Sequence, residues 1–509
     1  MPDAPAPHPQ RSRSESSGGA RRGPRQRSAQ RPSERGASTD AARLAAYTVL
    51  RSVAAGGYAN LELAKELRHR RLHGRDAAFA TELTYGTARM QGLYDPIIAL
   101  AAQRPATAID PGVLDTLRLG AHQLLGMRVP PHAAADESVG LARKVNGAGA
   151  SGLVNAVLRR ISERDLDEWL TLILPEEDPI ARLAIEHSHP EWIVKALRQS
   201  LLAHGQATPE TVDAQLLALL RADNEAARVT LVARPGLASI EDLLRAGATP
   251  SDHVATAATL TSGGDPGSLD LLRDGRAAVQ DEGSQVVALA LAAGANREAK
   301  SGQRWLDLCA GPGGKAGLLA ALAIQQSADL CANEISSHRA DLVRATLRAA
   351  RAAATSAGRM LEIRIGDGRT LGDAVADGSE AAYDAVLVDA PCTGLGALRR
   401  RPEARWRRTP ADLASLGALQ RALLDSAVRA TASGGLIAYA TCSPHVAETT
   451  FVVADLLKKH PEVEQLDARP LVAQVTTGWG DLLGPGPHVQ LWPHIHGTDA
   501  MFLAILRRR

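Results

Sequence analysis

From Asp40 onward, apolar residues recur at helical spacing. Leu44, Tyr47, Leu50 and Val53 stand three apart, and Gly56-Gly57 ends the run. A second helix is expected behind Asp76, carrying Phe79 and Leu83. A third opens at Asp110-Pro111, a capping carboxylate before a proline suited to the first helical position, and runs through Leu114, Leu117, Ala121 and Leu124. Val154, Val157, Leu158 and Ile161 mark a fourth. No strand alternation interrupts them, so 40–175 predicts an all-helical domain. Over 176–275 the pattern weakens into a connecting subdomain. His189-Pro190-Glu191-Trp192 opens a helix, 227–232 alternates like a strand, and 245–268 reads as a connection rich in Gly, Ser, Thr and Pro.

Near 275 the period changes. Short apolar strands at 305–308, 330–333, 361–365, 385–388 and 436–439 alternate with Leu- and Ala-rich helices, as at 315–323 and 338–350. Alternation of this kind predicts an α/β domain over 276–509, with a mostly parallel sheet covered by helices on both faces. Two later strands, near 489–491 and 501–505, would add at one edge. The expected fold class is thus multidomain, α followed by α/β.

Composition narrows the picture. Hydrophobic residues make up 45% and charged residues 22% of 509 positions, which excludes a wholly disordered chain. Aromatics are only 3%, so the cores must rest on aliphatic side chains. No apolar run approaches the roughly 18 residues of a membrane span, and the start of the chain has no secretory pattern. Four cysteines without C-x-x-C spacing argue against a disulfide scaffold or zinc ribbon, so a cytoplasmic address is expected. The net charge of +2 conceals a contrast: residues 1–40 hold eight Arg against four acids, leaving about −2 for the rest. Residues 1–39 read as a disordered basic tail, either solubilising or a sequence-blind phosphate tether.

Ligands of such sheets bind beyond the carboxyl ends of the strands. After the first strand stands Asp307-Leu308-Cys309-Ala310-Gly311-Pro312-Gly313-Gly314-Lys315, whose glycines let backbone approach a ligand at a helix N-terminus. Glu334 closes the second strand and suits a carboxylate holding ribose hydroxyls. Asp367 follows the third, placed to accept from an exocyclic amine or to cap a helix. No G-x-x-x-x-G-K-[ST] occurs, which disfavours a triphosphate site. Asp389-Ala390-Pro391-Cys392-Thr393-Gly394 and Ala440-Thr441-Cys442-Ser443-Pro444 put two thiols on the ligand face, where one can be a nucleophile and the other can exchange protons. Cys309 and Cys331 read as core fillers. The run Arg399-Arg400-Arg401-Pro402-Glu403-Ala404-Arg405-Trp406-Arg407-Arg408 suits a phosphate backbone and a stacked base. His494, His496 and Asp499 lack supporting ligands, so no metal is expected.

Together, the segments Asp307 to Lys315, Asp389 to Thr393 and Thr441 to Ser443 resemble the RNA cytosine-C5 methyltransferases that use S-adenosylmethionine. Gln280-Asp281-Glu282-Gly283-Ser284-Gln285 and the close from Trp492 to Phe502 match as well. The helical half is similar to the antitermination factor NusB around 75–85, 118–125 and 152–161. That pairing resembles the bacterial Sun/Fmu-like (RsmB) enzymes that methylate 16S ribosomal RNA. The resemblance implies that the loop from Cys309 to Lys315 holds the methionine part of the cofactor, Glu334 its ribose and Asp367 the adenine edge, with Asp389 between cofactor and base. It implies Cys442 as nucleophile and Cys392 as the thiol that helps release product. Pro391-Cys392 raises the opposite assignment, since DNA cytosine methyltransferases place their nucleophile after such a proline. The chain departs from the family's pattern at Pro444-His445-Val446-Ala447-Glu448-Thr449 and at Thr498-Asp499-Ala500-Met501-Phe502. The implied partner is 16S ribosomal RNA or a partly assembled small subunit, met by a monomer without metal or membrane. A non-catalytic RNA-binding, antitermination or ribosome-assembly factor is the alternative.

Overall fold

A computed structural model describes residues 40–127, 129–261, 265–296 and 302–509; the basic segment 1–39 lies outside them. The first half is helical, with Ala41–Ala54, Ala59–His69, Gly74–Arg89, Gln91–Ala102, Pro111–Ala121, Pro131–Val145 and Ala148–Ile161 in succession. Asp40 accepts from Arg43 N at 2.7 Å, and Asp110 accepts from Gly112 N at 2.9 Å, so both carboxylates satisfy orphan N–H groups of a first turn. Leu93, Ile97, Leu117, Val154, Val157 and Leu158 bury their side chains together in this half. Three of the helices had no expectation. Ala59–His69 is largely polar and Pro131–Val145 has few large apolar residues, whereas Gln91–Ala102 has an apolar stripe of Leu93, Tyr94, Ile97, Ile98 and Ala101 interrupted in the sequence by Pro96.

Helices Pro179–Glu186, Glu191–Ala203 and Val212–Asn224 follow. Their apolar faces meet Leu395, Leu398 and Trp492 of the second half. A small antiparallel sheet comes next, made of β1 (Thr230–Ala233), β2 (Ala248–Pro250), β3 (Ala257–Leu260) and β4 (Ala277–Val279), in the order β2-β3-β1-β4. The stretch 245–268 is therefore more than a connection: β2 and β3 pair within it, built from Ala and Thr with too little contrast to show alternation. Strand β4 pairs with β1 beyond residue 275, so the small sheet closes after the expected boundary.

The main sheet contains β5 (Arg304–Asp307), β6 (Asp329–Glu334), β7 (Leu361–Ile365), β8 (Tyr383–Asp389), β9 (Thr431–Thr441), β10 (Val463–Leu466), β11 (Val489–Gln490) and β12 (Phe502–Arg508). Its order is β10-β12-β9-β8-β5-β6-β7, parallel from β9 to β7, with β12 antiparallel to β9, β10 and β11. Side chains alternate strictly between two cores. Trp305, Leu330, Ala385, Leu387 and Ala438 face helices Glu282–Asn296 and Gly314–Gln325, while Leu306, Cys331, Val386, Val388 and Tyr439 face Asp412–Ala430 and Thr450–Lys459. From β5 the chain winds outward to β6 and β7, then returns to β8 on the other side. The reversal opens a crevice at the carboxyl ends of β5 and β8, where a ligand of such a sheet binds. Among the described residues, no helix is long and apolar enough to cross a membrane.

Candidate active site

Asp307 ends β5, and the chain turns through Gly311 to Gly313 into helix Gly314–Gln325. A Cβ on Gly311 would stand 2.2 Å from Glu334 Oε2, and Gly313 has φ +112°, so both positions require glycine. Glu334 ends β6 and is buried. Its Oε2 accepts from Gly311 N at 3.1 Å and its Oε1 from Ser336 N at 3.0 Å, which locks the carboxylate against the glycine turn. Asp367 caps helix Gly368–Ala376 by accepting from Arg369 N at 3.0 Å and pairs with the Arg369 guanidinium at 2.5 Å. Of its two open roles, capping is the one the structure shows.

The crevice suits a nucleotide-like ligand. It presents a glycine turn at a helix N-terminus, and beneath that turn the buried atoms Asp307 Oδ2 and Asn333 Oδ1 have no hydrogen-bond partner among the described residues. Burial, then the nearby Asp389 charge, pushes the Asp307 carboxyl up to about 8. Cys309 and Cys331 are held protonated, chiefly by burial.

The thiols meet one strand further. Asp389 ends β8 beside Ala440 of β9, so Cys392 and Cys442 leave neighbouring parallel strands together. Their sulfurs are 3.4 Å apart, and both thiols are free. The pair is asymmetric. Cys442 is pulled below the ordinary thiol range, first by the hydrogen bond from Cys392 and further by Lys315 and Arg401, against burial and Asp389. Cys392 is pushed well above that range, because it donates to Cys442 and is buried. Of the two thiols, Cys442 is thus the one that ionises more readily. Lys315 Nζ lies 2.9 Å from Asp389 Oδ2. Burial opposes its charge, but Asp389 outweighs this and raises the ammonium above its usual range. Lys315 thus belongs to the thiol side of the crevice as much as to the glycine turn.

Sequence reasoning missed the residue that aligns the two thiols. Glu448, fully buried in the departing segment after Cys442, accepts from Thr393 N at 2.7 Å and Thr393 Oγ1 at 2.5 Å. Gln420 Nε2 reaches the same carboxylate at 3.3 Å and donates to Pro391 O at 2.9 Å. The Cys392 loop is tied in this way to the Cys442 loop, whose carbonyl accepts from Gly396 N at 2.9 Å. The signal available was a lone acid after the Thr441-Cys442-Ser443 motif. Glu448→Gln would remove a charge-assisted bond and is expected to lower kcat about 10- to 100-fold with the cofactor's Kd unchanged; single-turnover kinetics and calorimetry read the two.

The structure sets most of the arginine run against groups of its own fold. Arg399 and Arg400 are engaged by Asp281 and Asp499, with Arg400 Nη2 2.6 Å from Asp281 Oδ2 and its Nε 3.1 Å from Asp499 Oδ1. Arg405 is wholly buried. Its Nη1 donates to Ser188 O at 3.0 Å and Asn224 Oδ1 at 2.7 Å, and its Nη2 to Asp223 O at 2.7 Å. Trp406 Nε1 donates to Ala88 O at 2.8 Å, and Arg407 donates to Val53 O at 2.7 Å and to Gly57 O. Arg408 pairs with Asp412 at 3.6 Å. Arg405, Trp406 and Arg407 thus satisfy carbonyls at or near the ends of helices in the first half, where the helix dipole favours cations, while Arg399 and Arg400 are held by carboxylates. Arg401 alone among them is exposed and, among the described residues, without an ion pair. His494 and His496 bond within the fold, to Gln215 Oε1 at 3.0 Å and from Trp492 N at 3.0 Å, and Asp499 takes the arginines.

A parallel sheet with its glycine turn at the switch point, beside two apposed thiols, defines a methyltransferase domain joined to a helical domain. Family comparisons agree: residues 296–507 match the model for 16S rRNA methyltransferase RsmB/F, and residues 40–163 match the NusB family. The chain belongs to the ribosomal RNA small subunit methyltransferase B family, whose members depend on S-adenosylmethionine. Ribosomal RNA small subunit methyltransferase B of Pseudomonas putida is 32% identical over 84% of this chain and 91% of that protein. Rv1407 of Mycobacterium tuberculosis, which carries a methyltransferase name, is 50% identical over 92% of this chain and 97% of its own. The crystal structure of PH0851 shares the fold, with a TM-score of 0.74 at 20% identity, over 92% of this chain and 98% of that one.

Proposed function

We propose that this protein methylates carbon 5 of a cytosine in small-subunit ribosomal RNA through a covalent bond between Cys442 and carbon 6. The observation that carries the reading is the asymmetric sulfur pair, 3.4 Å apart, at the mouth of the cofactor crevice. The backbone from Cys309 to Lys315, with Glu334, Asp367 and Asp389, would hold S-adenosylmethionine, as in the family that the sequence resembles. When bound, that cofactor supplies an electrophilic methyl group, which carbon 5 of the activated ring accepts.

The chain's own residues prepare the ring and restore it. The Cys442 thiolate adds to carbon 6, forming the S–C6 bond. The ring's double bond moves to C4–C5, and N3 takes a proton that the Lys315 ammonium passes through the Asp389 carboxylate, 2.9 Å from it. After methylation, Cys392 or a water beside it removes the proton from carbon 5. The C5–C6 double bond re-forms, the S–C6 bond breaks, N3 returns its proton, and Cys442 leaves as thiolate. A base stacked in a helix cannot enter this crevice, so the target is single-stranded or unstacked RNA. The substrate is 16S RNA or a partly assembled subunit in the cytoplasm.

Incubation with labelled S-adenosylmethionine and unmethylated small-subunit RNA, followed by nucleoside mapping, tests the reading. Label in 5-methylcytosine supports it; RNA binding without label would favour the non-catalytic assembly factor. The thiolate has its own test. Removing a cation whose charge favours the thiolate raises the thiol pKa, so Lys315→Gln is expected to shift the pH profile of Cys442 alkylation upward. Wild-type Cys442 should alkylate from a lower pH than a free thiol.

A further inference from the structure

Helix Ala59–His69 starts beside the catalytic loop and leads away from it. Ala59 N donates to Glu403 Oε1 at 3.4 Å. Before it stands Tyr58, 52% exposed in a chain with few aromatic residues, next to Leu61, which is 60% exposed. The Arg401 and Arg407 guanidinium carbons lie 5.8 and 5.7 Å from the Tyr58 ring centroid. Arg407 is fixed by the carbonyls of Val53 and Gly57, so it supports the ring from within the fold. Arg401 is free to meet a ligand, and its charge is felt at Cys442. An exposed aromatic face thus stands against an uncommitted cation on the segment that follows Cys392 in the chain.

The far end of the helix is different in kind. Arg68, His69, Arg71, His73 and Arg75 are all exposed, with no acid between them. Among the described residues only Arg68 of these has an acidic partner, Asp265 at 3.8 Å, and both are solvent-facing. At a rise of about 1.5 Å per residue, the helix separates the two ends by roughly 16 Å. That span matches about five nucleotides at a stacked rise of about 3.4 Å, fewer if the strand is extended. A stacking ring at one end and uncompensated cations at the other are what single-stranded nucleic acid requires.

We propose that helix Ala59–His69 is a docking ridge for single-stranded RNA: Tyr58 and Arg401 hold a base next to the target cytosine, and Arg71 and Arg75 bind phosphates further along the strand. The proposal rests on the RNA methyltransferase reading, and it assigns to the helical half a direct role in presenting the substrate.

The test uses the full-length protein and in vitro transcribed, unmethylated 16S RNA, with RNA Kd and methylation kinetics measured in parallel. Tyr58→Ala is expected to weaken RNA binding and kcat/KM by roughly 5- to 150-fold, as for loss of one stacked base, while Tyr58→Phe stays within about twofold. Arg71→Glu with Arg75→Glu is expected to raise Kd and KM and to reduce the slope of log Kd against log salt by about 1.4, or about 0.7 per phosphate contact. S-adenosylhomocysteine binding and circular dichroism, unchanged in each variant, would show that the fold and cofactor site persist. RNA affinity and salt slope equal to wild type in all variants would overturn the ridge. If wild type binds RNA but methylates none, while the variants lose binding, the ridge stands and the catalytic reading falls.

Discussion

Cys442→Ala is expected to abolish methyl transfer, by about ten-thousand-fold or more, and to leave no covalent protein–RNA species on a denaturing gel. Cys392→Ala is expected to behave in the opposite way, accumulating a covalent adduct because addition and methylation proceed while removal of the carbon-5 proton slows. The contrast follows from the sulfur pair. Cys442 is the more readily ionised of the two, because its contact with Cys392 and the charges of Lys315 and Arg401 lower its pKa. Cys392 is held protonated by the same hydrogen bond and by burial. Pro391-Cys392 alone allowed the reverse assignment, and an adduct trapped by Cys442→Ala but not by Cys392→Ala would restore it. Loss of adduct in both variants would remove the covalent route altogether.

The second large effect is expected far from the chemistry. Arg405→Met should destabilise the protein by about 3–5 kcal/mol, the usual cost of removing one member of a buried charged network. The guanidinium joins carbonyls of Arg89, Ser188 and Asp223 and the side chain of Asn224. Without it the Ser188 and Asp223 carbonyls and the Asn224 amide oxygen lose this donor, and the buried Asp223, already raised to about 7 by burial, loses the cation that opposes the shift. Urea denaturation monitored by tryptophan fluorescence is the measurement. The helical and catalytic halves should then unfold in separate steps, since Arg405 joins helix ends of the first half to a loop of the second. Arg408→Ala removes only a partly exposed pair with Asp412 and should change stability by less than about 1 kcal/mol. Equal effects of the two substitutions would contradict the network.

Much of the fold was legible because its signals are local. The strands of the main sheet announce themselves by alternation, and the structure sorts Trp305, Leu330 and Ala385 from Leu306, Cys331 and Val386 onto opposite faces as period two requires. Helix starts at Asp40 and Asp110 were legible for the same reason, since a cap acts within three residues. The small sheet was not. β2 and β3 are short, and Ala and Thr give them little contrast between faces, so their pairing depends on register with β1. At the site, the glycine turn and both cysteines stood out because strand ends are functional by topology. Glu448 did not, because its partner Thr393 comes from the neighbouring strand's loop.

The sequence by itself determined the two-part architecture and the position of the crevice at the carboxyl ends of the strands. Hydrophobic period, caps and glycine turns act over a few residues, and the strand order of a doubly wound sheet then brings their ends together. Only the tertiary structure decided what the charged groups do. Six arginines in ten positions look alike along the chain, yet five are committed to carboxylates or helix-end carbonyls and Arg401 faces outward. Two thiols look alike as well, until Lys315 and Glu448 are set around them. Burial and the field at a side chain are sums over neighbours from distant parts of the chain, and those sums exist only once it has folded.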